Sequence, residues 1–148
     1  MTSPFEMGTD GPTRILVGVD GSDTSMRAAA YAVGLARRQG SLLIALYVGR
    51  LSGLTASMTA TAAAALDATD SMAAELRHSL HEACERLGVE EAFVYRRGNP
   101  YLELVRVADT MKVDAVVVGS SRQAGHRLVG SLAAHLVRDA RWPVTVVP

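Results

Sequence analysis

Five short apolar runs punctuate this chain, and between them hydrophobic positions recur at helical spacing. Arg14 to Val19 (RILVGV) is apolar after its first residue and stops at Asp20-Gly21, which predicts a buried strand ended by a turn. Ser22 or Asp23 can cap the next helix, whose inner face is marked by Met26, Ala29, Ala30, Val33 and Ala36 and which Gly40 closes. Ser41 to Val48 (SLLIALYV) predicts a second strand, apolar nearly throughout, as a sheet covered on both faces requires. Leu76, Leu80, Ala83 and Leu87 form the buried stripe of a further helix. Glu91 to Arg96 then predicts a strand and Asn99 to Met111 a helix, with Pro100 at its first helical position. Asp114 to Val118 and Val144 to Val147 are the last two strands, separated by a helix from Ser131 to Ala140.

The resulting order is β-α-β-linker-α-β-α-β-α-β. Helices alternating with strands buried on both faces predict an α/β fold: an open, five-stranded parallel sheet with right-handed crossovers and helices on both faces. Leu51 to Asp70 stands apart, being built mostly from Ala, Thr, Ser, Met and Leu with no charge until Asp67. It reads either as a surface linker with a helical second half or as an apolar flap over a ligand or partner.

Composition narrows the function classes. At 148 residues, with 49% hydrophobic content and mean hydropathy +0.16, one packed domain is expected. It should span residues 13–148, after a flexible tail at 1–12 rich in Gly, Pro, Ser and Thr that lacks the basic and apolar regions of a signal peptide. Fifteen basic residues balance fifteen acidic ones, so the phosphate neutralisation that drives non-specific nucleic-acid binding has no charge excess behind it. No run approaches the ~20 apolar residues that span a bilayer. The lone Cys84 sits in a helical pattern and fits a reducing compartment, with no base placed to make it a nucleophile. A cytoplasmic protein with neither nucleic-acid nor membrane partners is the expectation.

The candidate chemistry lies after the first and fourth strands. In a sheet of this kind ligands sit beyond the carboxyl ends of the strands, where the winding reverses. Asp20 and Gly119 both fall at such ends, and they face one crevice if strands one and four are neighbours. Gly119, Ser120 and Ser121 lead into a basic, glycine-spaced loop carrying Arg122, Gly125, His126 and Arg127. Gly130, Ser131 and Leu132 then begin a helix. Unpaired backbone N–H groups and the positive end of a helix dipole suit a phosphate there, with the two arginines as cationic donors and Gly119 letting the backbone approach. Asp20 is placed to accept from ribose hydroxyls or an adenine amino group. Catalytic signatures are missing: there is no Gly-x4-Gly-Lys-Ser/Thr loop, no Gly-x-Gly-x-x-Gly after the first strand, and no serine-centred elbow. His78 and His81, with Glu75 and Glu82 nearby, have the flanks of a solvated helix face rather than a metal site, and His135 reads as a surface or partly buried helix residue.

Ile15-Leu-Val-Gly-Val-Asp20-Gly-Ser22, Asp114-Ala-Val-Val-Val-Gly119-Ser, Gly130-Ser131 and the closing Arg141-Trp-Pro143-Val-Thr-Val-Val-Pro148 occur here in one order. On them the chain from Arg14 to Pro148 resembles the universal stress proteins of the UspA family. The resemblance implies a Rossmann-like, adenine nucleotide α-hydrolase-like sheet of order 3-2-1-4-5, usually in a homodimer. It implies Asp20 near the nucleoside and Val48 lining the adenine pocket, with ATP as ligand; AMP or cyclic AMP are alternatives, and magnesium is unspecified. The family's phosphate loop is Gly-x2-Gly-x9-Gly-Ser/Thr. Here Arg122 occupies the second glycine position, the interval from Gly119 to Gly130 is two residues short, and Ala133 replaces a frequent hydroxyl residue. The expected function is an adenine-nucleotide-binding regulatory protein of the stress response, not an enzyme, that shows a changed surface to an unidentified protein partner. The alternative is a dimeric scaffold paired through Val144 to Val147, an edge strand that needs covering, with a degenerate loop that binds no ATP.

Overall fold

The computed structural model describes residues 11–50, 59–121 and 130–148, with residues 59–62 in backbone only. The tail 1–10, residues 51–58 of the linker or flap, and the loop residues Arg122, Gly125, His126 and Arg127 lie outside the described residues. The elements are β1 (Arg14–Val19), α1 (Asp23–Gln39), β2 (Leu42–Gly49), α2 (Thr59–Leu87), β3 (Glu91–Arg97), α3 (Pro100–Met111), β4 (Ala115–Gly119), α4 (Ser131–Asp139) and β5 (Val144–Val147). All five strands are parallel, in the order β3-β2-β1-β4-β5.

Strand alternation divides the core in two. Ile15, Val17 and Val19 of β1, with Leu43, Ala45 and Tyr47 of β2, face α1 and α2; Leu16, Ile44 and Leu46, with Val116 and Val118 of β4, face α3 and α4. Burying an aliphatic side chain of this size contributes roughly 1.5–3 kcal/mol. Because both faces are covered, β1, β2 and β4 are apolar without a polar alternate.

Several expected boundaries shift by one residue, for reasons visible in the backbone bonds. Ser41 precedes β2 because its N–H closes α1 on the Ala36 carbonyl, at 3.0 Å, beside a left-handed Gly40. Asp114 precedes β4 and Gly119 completes it, since the β5 ladder runs on to Gly119 opposite Val147. Ala140 is not helical: at φ 51° it caps α4, which ends at Asp139.

Two inner faces keep Ala29, Val33 and Ala36 on α1 and Leu76 and Leu80 on α2, and differ from expectation at their margins. On α1 the buried residues include Ala28 and Ala32, whereas Ala30 is exposed and Met26 only half-buried. On α2 the buried line is Ala73, Leu76, Leu80 and Cys84, with Ala83 and Leu87 half-buried. A thiol packs as a small hydrophobe, and burial pushes the Cys84 pKa up. Residues 59–70 are helical and continuous with the rest of α2; alanine is the best helix former, which makes so uncharged a segment helical. Among the described residues no helix is long and apolar enough to cross a membrane.

Candidate functional site

The chain winds outward from β1 through β2 to β3, then returns to lay β4 on the other side of β1. The reversal therefore falls between β1 and β4, which pair with Val17 opposite Val117. Above their carboxyl ends lies a cleft of about 610 Å³. Asp20, Val48, Gly119, Ser120 and Ser121 line it, and so do Gly130, Ser131 and Leu132. The expected convergence of Asp20 with the end of β4 is thus what the topology produces.

Asp20 is set by a compact turn. Its Oδ1 accepts from the Ser22 N–H at 2.9 Å, and its own N–H donates to Ser25 Oγ at 3.1 Å. Ser22 caps α1 by accepting from the Ser25 N–H at 3.3 Å, and Gly21 supplies the φ of 82° that the turn needs. Burial works to raise the Asp20 pKa, but the Ser22 hydroxyl and N–H, the Ser25 hydroxyl and the Arg50 charge outweigh it and hold the carboxyl below its usual range. The carboxylate presented to the cleft is therefore ionised at neutral pH.

The opposite wall is the first turn of α4. Its N-cap is Gly130, which has no side chain with which to cap, unlike Ser22 on α1 and Asn99 on α3. The first intrahelical bond runs from the Ala134 N–H to the Gly130 carbonyl, and no carbonyl of the described residues accepts from the first-turn N–H groups before it. Ser131 is accordingly a first-turn residue and not the cap. Gly130 also abuts Ser121: a Cβ added there would lie 3.0 Å from the Ser121 Cβ, so the two ends of the loop are held together.

Two of the lining residues are also committed to the fold. The Ser120 N–H is not free for an anion, because it donates to the Val147 carbonyl at 2.8 Å and extends the β4–β5 ladder. Gly119 lines the cleft, but its missing side chain serves packing. A Cβ there would stand 2.6 Å from the Thr24 carbonyl carbon and 2.8 Å from the Ser25 nitrogen, inside the backbone of α1. Glycine at 119 lets the first turn of α1 rest on β4, and so fixes the Asp20 turn against the cleft.

The sequence reading missed Gly18, Leu46, Arg50, Pro100, Leu104 and Val118, all of which border the cleft. Gly18 was findable, since a glycine inside a strand often marks a close approach or open space. It lies on the α3–α4 face between Leu46 and Val118, where a larger side chain would fill the floor. Arg50 and Pro100 follow from the rule that pointed to Asp20, as both directly continue the carboxyl ends of strands or begin the helices after them. His78 and His81 are held by neighbouring carboxylates, His78 by Glu82 at 3.3 Å and His81 by Glu91 at 2.9 Å. No cluster among the described residues has the composition of a metal site.

An open parallel sheet with an acidic turn and an uncapped helix meeting at its reversal defines an α/β protein with a cleft at its carboxyl rim. A family model described as "Universal stress protein family" matches residues 12–148, and the chain belongs to that family. It is 35% identical over 146 residues to a universal stress protein of Mycobacterium tuberculosis, covering 90% of this chain and 94% of that one. A universal stress protein of Methanocaldococcus jannaschii is 30% identical over 139 residues, covering 90% and 81%. Among solved structures, UspA from Lactobacillus plantarum superposes with a TM-score of 0.77 at 26% identity, covering 92% of this chain and 97% of that one. A universal stress protein solved in complex with cAMP gives 0.64 at 25% identity, covering 94% and 98%.

Proposed function

We propose that this chain is a nucleotide-responsive regulatory protein of the stress response, binding an adenine nucleotide, ATP first among them, in the β1–β4 cleft. One observation carries the reading: a carboxylate suited to ribose or adenine donors and a helix end without a side-chain cap face the same space. The cAMP complex of a related universal stress protein supports an adenine ligand of this class. Binding changes the surface shown to a partner to the extent that nucleotide favours one arrangement of the rim over another. The role is binding without turnover, in the cytoplasm. Thermal-shift titration with ATP, ADP, AMP and cyclic AMP tests it: a rise in melting temperature is expected with at least one. A flat response to all four at millimolar ligand rejects it.

A paired scaffold is the second reading, and the two sheet edges favour it. The β3 edge carries Glu91, Arg96 and Arg97, charges that discourage strand addition, whereas Val144–Val147 of β5 is uncharged and only half-buried. We propose a homodimer formed across β5, with the nucleotide cleft retained in each copy. Val146→Glu should convert dimer to monomer or aggregate by light scattering, and an unchanged dimer would place the interface elsewhere.

A further inference from the structure

Behind the Asp20 turn stands the amino-terminal half of α2. Thr69, Met72, Ala73 and Leu76 recur at helical spacing, so the inner stripe of α2 runs past the core to the carboxyl rim. Two glycines receive it there. A Cβ added at Gly21 would lie 3.0 Å from the Met72 sulfur, and one added at Gly49 would lie 3.2 Å from the Thr69 Cβ. Gly21 belongs to the Asp20 turn and Gly49 ends β2, so Met72 and Thr69 seat α2 on both. Methionine is unbranched and polarisable, which suits it to the space that the absent Gly21 side chain leaves.

A polar cluster holds α2 at the same height. Arg97 donates from Nη2 to Asp70 Oδ1 at 2.6 Å and from Nε to the Tyr95 hydroxyl at 3.2 Å. That hydroxyl donates to Asp70 Oδ1 at 2.9 Å and lies 3.0 Å from Thr69 Oγ1. The Tyr95 ring stacks on Tyr47 with centroids 5.5 Å apart, and burial, Tyr95 and the Asp20 charge together push the Tyr47 hydroxyl pKa up. Two routes thus join α2 to one turn: Met72 directly through Gly21, and Asp70 through Tyr95 and Tyr47. Of these residues only Asp20 lines the cleft. Whatever α2 does to a ligand, it does through the turn.

We propose that Met72 is a positioning residue of the nucleotide site. It braces the Asp20 turn from the α2 side, so that nucleotide binding and the seating of α2 on the rim stabilise each other. The inference rests on the nucleotide reading and names the element through which occupancy of the cleft reaches the protein surface. A ligand that holds the Asp20 turn in one place holds Met72, and with it the adjoining turns of α2. By linkage, loosening α2 lowers affinity by the factor with which ligand tightens α2.

Calorimetric titration of adenosine, AMP, cyclic AMP and ATP into the wild type, Met72→Ala, Met72→Leu and Tyr95→Phe tests this, with hydrogen exchange of residues 63–74 measured with and without saturating ligand. Met72 is only half-buried and Tyr95→Phe keeps the aromatic stack, and cooperative melting of the free proteins establishes that the variants fold. Met72→Ala should weaken adenosine and ATP alike by about 5-fold, the low end of couplings between linked elements, because it acts through Asp20 and not on phosphate. Met72→Leu, of similar volume, should restore most of the loss. Tyr95→Phe should weaken both ligands about 2-fold, the scale of a lost neutral hydrogen bond. In the wild type, ligand should slow exchange across residues 63–74, and Asp20→Ala with Met72→Ala should bind ATP no more weakly than Asp20→Ala alone. Unchanged affinity in Met72→Ala, or additive losses in the double variant, overturns the brace while leaving the nucleotide reading intact. Wild-type exchange that saturating ligand leaves unchanged does the same, whatever the variants show. Failure of all four ligands to bind the wild type overturns both readings.

Discussion

Asp20 and Asp114 stand at opposite ends of adjacent strands and do opposite work. Asp114 lies just before β4, at the amino rim, where its Oδ2 accepts from the N–H groups of Thr13 and Arg14, both at 2.9 Å, and from the Thr13 hydroxyl at 2.6 Å. It staples β4 to the start of β1, and the Asp114 N–H returns a bond to the Arg14 carbonyl. Asp20 lies just after β1, at the carboxyl rim, where its Oδ1 accepts from the Ser22 N–H. The Asp114 carboxylate ties two strands together through Oδ2; the Asp20 carboxylate is held within its own turn and borders a cleft. The same residue type can therefore be structural or available for binding, and the distinction is made by how many donors the fold brings to it.

The contrast can be broken most severely at Gly119, which holds the Asp20 turn in place from the neighbouring strand. Gly119→Ala forces its Cβ into the backbone of Thr24, where no flexible side chain can give way. Overpacking of this kind costs about 2–3 kcal/mol, or roughly 5–10 °C in melting temperature for a domain of this size. Calorimetry showing a change under about 1 °C would disprove the packing role.

Removing the presented carboxylate should act on binding more than on folding. Adenosine is the ligand to titrate, because it carries no phosphate charge to be repelled by an aspartate. Asp20→Ala is expected to weaken it about 10-fold, while losing only about 0.5–1 kcal/mol of stability with the bond to Ser22. A variant that binds adenosine as wild type does would remove Asp20 from the site.

Asp114→Ala should show the inverse pattern, about 1 kcal/mol of lost stability by denaturant unfolding and no change in nucleotide affinity. The cost stays near this lower value because the site is exposed and water can replace the carboxylate. Burial works to raise the Asp114 pKa, but the Thr13 hydroxyl, the two backbone N–H groups and the Arg14 charge hold it below its usual value. The unfolded chain, with a carboxyl near pKa about 3.9, takes up its proton first. The stabilisation is therefore complete above about pH 5 and is lost as pH falls through the native-state value. The wild type and Asp114→Ala should converge in stability at low pH; a constant gap down to about pH 2 would mean the charge plays no part.

The order of strands and helices was readable from Arg14 onward, because burial on one face repeats every second residue in a strand and roughly every third or fourth in a helix. That periodicity is local. It does not fix the margins of a helix's inner face, which is why Cys84 rather than Ala83 is fully buried on α2 and Ala28 rather than Ala30 on α1. Asp20 and the glycine-bearing end of β4 were found because strand order places carboxyl ends together. Arg50 and Pro100 were within reach of the same carboxyl-end rule, but nothing in their own neighbourhoods sets them apart from turn residues.

The linear pattern of apolar residues, turn glycines and caps was enough to settle a parallel α/β sheet and to name the rim where the cleft lies. Its grip extends only as far as neighbours along the chain. That Gly119 makes room for a helix and that the Ser120 N–H is taken by β5 were decided by contacts between residues far apart in sequence. Those contacts exist only once the sheet has closed its register and the helices have been pressed onto its two faces.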